Sequence, residues 1–155
     1  MTSIEFYTGI LQALNKARVE YLVVGGYAVN SYGYMRSTSD MDLWVQNDGN
    51  NLNKLSTALS TLRYPAEAVQ TGIHELRENR NINLTHDKFF KVELISFLSS
   101  TLKFNEAYGR RATKSILGMK VGVVDYDDLC FLKIKSGRYK DLLDVSELKR
   151  IRDKK

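Results

Sequence analysis

The stretch Glu20-Tyr21-Leu22-Val23-Val24-Gly25-Gly26, read together with Arg36-Ser37-Thr38-Ser39-Asp40-Met41-Asp42-Leu43-Trp44-Val45, decides the fold of this chain. The first run ends in β-branched apolar residues and reads as a buried strand that stops at a glycine pair. Tyr27 to Tyr32 then coil into a short helix that Gly33 closes. In the second run polar and apolar residues alternate from Asp40, the period of a strand. Residues i and i+2 of a strand share a face with roughly 6 to 7 Å between their Cα atoms, so the carboxylates of Asp40 and Asp42 point the same way. Two like charges at that spacing repel unless a cation stands between them, and hard oxygen donors suit Mg²⁺ or Mn²⁺.

Working outward, Ile4, Ile10, Leu11, Leu14 and Ala17 recur at helical spacing, which predicts a helix over residues 3 to 17. Leu52, Leu55, Leu59 and Leu62 predict another over about 50 to 63, and Pro65 opens a further helix at 66 to 79. Asn81 to Thr85 and Phe89 to Phe97 read as two strands joined by the turn His86-Asp87-Lys88. Phe104 to Arg111 is expected to be helical, and Ser115 to Val124 to form a hairpin with Leu117-Gly118 at its turn. Asp127 or Tyr126 is expected to cap a helix at about 128 to 136 that Gly137 ends, and a last helix runs from Tyr139 to Ile151. No repeat or linker interrupts residues 1–155, so one domain of class α+β is expected, a mixed sheet flanked by helices.

Glu93 is acidic within the apolar strand Phe90-Lys91-Val92-Glu93-Leu94-Ile95. Val92 and Leu94 supply the core face there, which makes Glu93 the candidate third ligand. Asp87 is the rival, but its place in a turn marks it as a turn former.

Composition narrows the chemistry further. Cys130 is the only cysteine, which excludes an intrachain disulfide and a cysteine-clustered zinc site. His74 and His86 are the only histidines, and their spacing is not that of a zinc hydrolase. The first residues have neither a basic segment nor an apolar block of signal type, and no apolar run approaches the length of a bilayer crossing, so the expected place is the cytoplasm, with no membrane partner. Charge is uneven: residues 1 to 75 hold five Lys+Arg against seven Asp+Glu, whereas residues 76 to 155 hold 18 against 11. A basic C-terminal half favours a polyanion such as a nucleoside triphosphate or RNA.

At the glycine pair a strand leads into a helix start, where backbone N–H groups favour a phosphate and glycine permits close approach. With Asp-x-Asp following at fourteen residues, Val24-Gly25-Gly26-Tyr27-Ala28-Val29 and Arg36-Ser37-Thr38-Ser39-Asp40-Met41-Asp42-Leu43 resemble the signature of the polymerase-β-like nucleotidyltransferase superfamily. Within it the chain is similar to small bacterial proteins related to the AbiEii toxins, to minimal antitoxin-type nucleotidyltransferases and to lincosamide-modifying enzymes. Asp128-Leu129-Cys130-Phe131-Leu132-Lys133 and Gly137-Arg138-Tyr139-Lys140-Asp141-Leu142-Leu143-Asp144 also resemble the AbiEii-related group.

The resemblance implies the nucleotidyltransferase fold and transfer of a nucleoside monophosphate from an NTP to a hydroxyl, with pyrophosphate leaving. It implies metal ligands in Asp40, Asp42 and Glu93, the last departing from the more common Asp, and triphosphate contacts from Gly25, Gly26 and Lys133. Arg36 and Thr38, just before Asp40, are candidates to orient phosphate or the metal-bearing strand, with a structural role equally open. The acceptor is left open among a small molecule, a protein and a tRNA. An alternative reading is a catalytically weak NTP-binding module, or a toxin-antitoxin partner of the same fold, and a homodimer could complete the acceptor cleft. Trp44 shares a nominal face with the aspartates and is a candidate for the pocket wall or the sheet edge. The charges of Arg138, Lys140, Asp141 and Asp144 are expected to pair along their own helix.

Overall fold

The computed structural model describes residues 1–38 and 40–154; Ser39, within the motif quoted above, and Lys155 lie outside the described residues. Six strands form one mixed sheet in the order β3-β4-β2-β1-β6-β5. These are β1 (Tyr21–Val24), β2 (Met41–Val45), β3 (Ile82–Thr85), β4 (Lys91–Ile95), β5 (Ala112–Ile116) and β6 (Met119–Val123). β1 runs antiparallel to β2 and parallel to β6, while β2 runs parallel to β4; β3 and β5 close the two ends antiparallel to β4 and β6. β1 and β2 are thus central, and both are apolar on both faces apart from one residue. Met41, Leu43 and Val45 are fully buried on one face of β2, and Trp44 is buried on the other, which it shares with Asp42.

The helices are α1 (Ser3–Lys16), α2 (Gly25–Ser31), α3 (Gly49–Thr61), α4 (Ala66–Arg77), α5 (Phe104–Gly109), α6 (Tyr126–Ser136) and α7 (Tyr139–Asp153). α1 packs beside α3 and against β6, α3 packs beside α4, and α4 packs against β3. α2 lies on β1, β2 and β5, and α6 packs between α2 and α7. Among the described residues no helix is long and apolar enough to cross a membrane.

Local chemistry accounts for the boundaries. Thr2 and Glu5 form a reciprocal capping box at the start of α1. Asn51 reaches from α3 to accept from Glu20 N–H at 2.7 Å and to donate to Glu20 O at 3.0 Å and Gln46 O at 2.9 Å, which fastens α3 to the ends of β1 and β2. Asp87 accepts the N–H groups of Phe89 and Phe90 and so forms the turn between β3 and β4. The β5–β6 turn holds Leu117 at φ 53° and Gly118 at φ 79°, the left-handed pair of a two-residue hairpin. The cap of α6 corrects the sequence expectation. Asp125, not Asp127 or Tyr126, accepts the N–H groups of Asp127 and Asp128, and the helix therefore starts two residues early, at Tyr126.

Candidate active site

β1 ends where α2 begins, and at that junction Val24 is the strand partner of Asp42. The glycine pair there has a steric cause. Gly25 sits at φ +66°, and a Cβ on it would run into the Asp42 carboxylate, 3.1 Å from its Cγ. A Cβ on Gly26 would run into the Thr38 hydroxyl and lie 3.3 Å from Arg36 Nη1. The two glycines thus bring the chain turn directly against the side chains that the sequence groups with it.

On the other side of β2, β4 runs parallel to it with Glu93 opposite Asp42. Asp40 stands just before β2, two residues from Asp42 and on its face. Burial first, then the charges of Glu93 and Asp40, push the Asp42 carboxyl up to about 6, against a smaller opposing pull from Lys133 and Lys91. Lys91 Nζ lies 3.9 Å from Asp40 Oδ2, a half-exposed pair. Tyr7 and Tyr27 pack edge to face beside this group, and both phenols are raised by burial and in part by Asp40.

A cleft of about 710 Å³ opens over these carboxylates. Gly25, Gly26, Arg36, Thr38, Asp40, Asp42, Glu93 and Lys133 all line it. Trp44 does not: it is buried against the Phe104 ring, 5.3 Å between centroids, further along the same face, and it covers neither the cleft nor a sheet edge. Tyr32 is spent on packing, its hydroxyl donating to Val124 O and its ring edge-on to Tyr126.

The donor set matches a hard cation. Three carboxylates on and just before adjoining strands, one of them pushed up to about 6 by burial first and then by its like-charged neighbours, are what a divalent ion relieves. They do not form a closed cage, since among the described residues no cluster of three or more His, Cys, Asp or Glu is drawn together tightly enough to hold a metal alone. Mg²⁺ fits that arrangement, because it commonly takes one or two carboxylates and completes its shell from water and substrate phosphates.

The opposite wall comes from α6, α7 and the segment before Asp40. Lys133 on α6 is buried, with Nζ 3.2 Å from Asp141 Oδ1 and 3.0 Å from Asp144 Oδ2. Arg36 grips Asp144 with two nitrogens, Nε at 2.7 Å and Nη2 at 2.9 Å. Arg138 Nε donates to Asp141 at 2.7 Å, and Ser136 Oγ bonds the same carboxylate. Burial would raise Asp141, but the bonds from Arg138, Ser136 and Lys133 outweigh it and hold the carboxyl at about 2. Asp144 is likewise held low against its burial by Arg36 and Lys133.

Of the four residues expected to pair along their own helix, only Arg138 and Asp141 do so among the described residues. Asp141 and Asp144 are instead each 1% exposed and reach off their helix to two other parts of the chain. The available signal was their spacing, since 141, 144, 145 and 148 make one helical stripe whose other members, Val145 and Leu148, are buried. Acids inside an apolar stripe need partners. Thr38 adds a bond from its hydroxyl to Asp40 O at 3.3 Å.

Comparison with known proteins gives one family and several solved structures of similar fold. A family described as "Nucleotidyl transferase of unknown function (DUF2204)" matches residues 3–155. No curated protein matches the chain. Among solved structures, ANT(2″)-Ia in complex with adenylyl-2″-tobramycin superposes with a TM-score of 0.58 at 13% identity, over 96% of this chain and 88% of its own. The lincosamide antibiotic adenylyltransferase LnuA with lincomycin bound gives 0.55 at 14% identity over 96% of both chains. The Thermotoga maritima protein TM1012 gives 0.57 at 12% identity, over 97% of this chain and 92% of its own. At these identities the likeness is one of fold: the same mixed sheet flanked by helices.

Proposed function

Because the chain belongs to the family of nucleotidyl transferases of unknown function and is a nucleotidyltransferase, we propose that it moves a nucleoside monophosphate from an NTP to a hydroxyl acceptor in a Mg²⁺- or Mn²⁺-dependent reaction, as one domain in the cytoplasm. The observation that carries this reading is the convergence of Asp42, Glu93 and Asp40 with the glycine turn, Arg36 and Lys133 in one cleft. The similarity of α6 and the start of α7 to AbiEii-related proteins supports placing it near that group.

Asp40, Asp42 and Glu93 would hold the divalent ion, which when bound neutralises charge on the phosphates. The triphosphate tail would lie along Gly25 and Gly26, which carry no side chain of their own, with Lys133, Arg36 and Thr38 lining the same cleft. The acceptor oxygen forms a bond to the α-phosphorus as the bond to the β-bridging oxygen breaks, and pyrophosphate departs. Glu93, opposite Asp42 and in the same cleft, would help hold the ion and so favour loss of the proton from the acceptor hydroxyl. Buried Leu129 and half-buried Phe90 and Leu132 keep part of the wall apolar and reduce competition from water.

The acceptor belongs to the chemical class of alcohols, and a hydroxyl of a small molecule, a protein or a tRNA end satisfies the same residues. Incubation with Mg²⁺ and α-labelled NTPs against each of these three acceptor classes tests the reading. Label is expected in one of them. No label in any, together with no NTP binding, overturns it. Glutamate in place of the commoner aspartate at residue 93 supports a second reading, an NTP-binding partner module without turnover. Tight Mg²⁺–NTP binding with no product and a copurifying partner protein would establish that one instead.

A further inference from the structure

Two carboxylates of α7 are buried behind the cleft wall, and their partners are the cations that line it. Asp144 bonds both Arg36 and Lys133; Asp141 bonds Lys133, Arg138 and Ser136. Replacing such a buried ionic cluster by apolar residues of similar volume is often neutral or stabilising, so fold stability alone does not account for it. Geometry offers another account. With Nε and Nη2 of Arg36 taken by Asp144, the remaining nitrogen, Nη1, donates to Ser37 O at 3.0 Å and lies beside Gly26. Lys133, fixed between the two aspartates, lines the same cleft as Asp42. The same carboxylate therefore holds one cation beside the glycine turn and another in the wall of the cleft.

We propose that Asp144, supported by Asp141, is a positioning residue for the triphosphate: it holds Arg36 and Lys133 at the angle and depth at which they meet the phosphate chain. The proposal rests on the reading of the cleft as an NTP site. A planar guanidinium held by a fork of two bonds loses little freedom when phosphate arrives, whereas an untethered one has to be ordered first. Asp144 also ties α7 to the residue four before Asp40, so the cations and the carboxylates share one frame.

The test measures binding of each of the four ribonucleoside triphosphates and the matching monophosphates to the full chain, at constant Mg²⁺, by calorimetry. Asp144→Asn is expected to weaken triphosphate binding by about tenfold or more while monophosphate affinity moves less than about twofold. Because the residue acts through Arg36, its loss is expected to cost less in the Arg36→Gln background than in the native one. Arg36→Lys keeps the charge and loses the fork, so it gives a second measurement even if Asp144→Asn unfolds; the same selective loss is expected. Unchanged or tighter triphosphate binding in the folded variants would overturn the proposal, showing that Asp144 only neutralises its partners. Equal weakening of mono- and triphosphates would overturn it too, as the mark of a general structural role. If the native protein binds no NTP at all, the reading of the cleft falls first, which is a distinct result.

Discussion

Asp42 carries the electrostatic load of the cleft. Its carboxyl sits near 6 instead of 3.8, so the neutral form is the one the fold favours. The stability that belongs to the neutral form is complete below about pH 4 and is lost as the pH rises through about 6. The metal-free protein is therefore expected to be weakened by ~2 kcal/mol across that window, and Asp42→Asn to recover a similar amount at neutral pH. Urea unfolding of both proteins at pH 5 and pH 7.5 checks this: the gap between them should widen with pH and shrink when Mg²⁺ is added. Gly25 is a residue of the opposite kind, required for what it lacks. Gly25→Ala sets a left-handed φ of +66° and the Asp42 carboxylate against the new Cβ, with an expected cost of ~1 to 3 kcal/mol and loss of transfer. Thermal melts and the labelled-NTP reaction would read the two effects separately.

Among the elements, those with local signals were legible in the sequence. The β5–β6 hairpin is announced by Leu117-Gly118, and α1 and α3 by their apolar stripes, because turn chemistry and helical period act within a few residues. The start of α6 was misplaced because three consecutive residues, Asp125, Tyr126 and Asp127, each border the helix and only the backbone shows which side chain turns back on it. The partners of Asp141 and Asp144 were hidden for a deeper reason: Arg36 lies 108 residues from Asp144, a separation that no local rule spans. Asn51 is another long-range tie, with bonds to Glu20 and Gln46. Asn51→Ala leaves those backbone groups without their partner and is expected to cost ~2 to 3 kcal/mol in denaturant unfolding. Asp125→Ala, removing only a cap, should cost about 1 kcal/mol by the same measurement.

At the scale of the molecule, the uneven charge of the sequence acquires a place. The acidic N-terminal half brings Asp40 and Asp42 to the cleft, and the basic C-terminal half brings Lys133, Arg138 and Lys140 to the wall beside them. A site built from both signs suits a ligand that arrives as a cation–polyanion pair, with the ion meeting the carboxylates and the phosphates meeting the lysines and arginines. Mg²⁺ and NTP are accordingly expected to bind with positive coupling, each tightening the other by about tenfold, since the carboxylates among the described residues form no closed cage alone. Affinity for NTP should also fall as salt rises, because exposed Lys140 and Arg138 attract it through screened charge.

The step proposed for this cleft is attack at the α-phosphate, supported by the carboxylates around Asp42. The most direct measurement supplies Mg²⁺, NTP labelled at either the α or the γ position, and a mixed pool of hydroxyl acceptors to the native protein and to Asp42→Asn. The α label is expected to move to an acceptor, the γ label to leave in pyrophosphate, and Asp42→Asn to keep its fold and transfer neither. An acceptor that gains the γ label, or an Asp42→Asn protein that transfers the α label as fast as the native one, would contradict it.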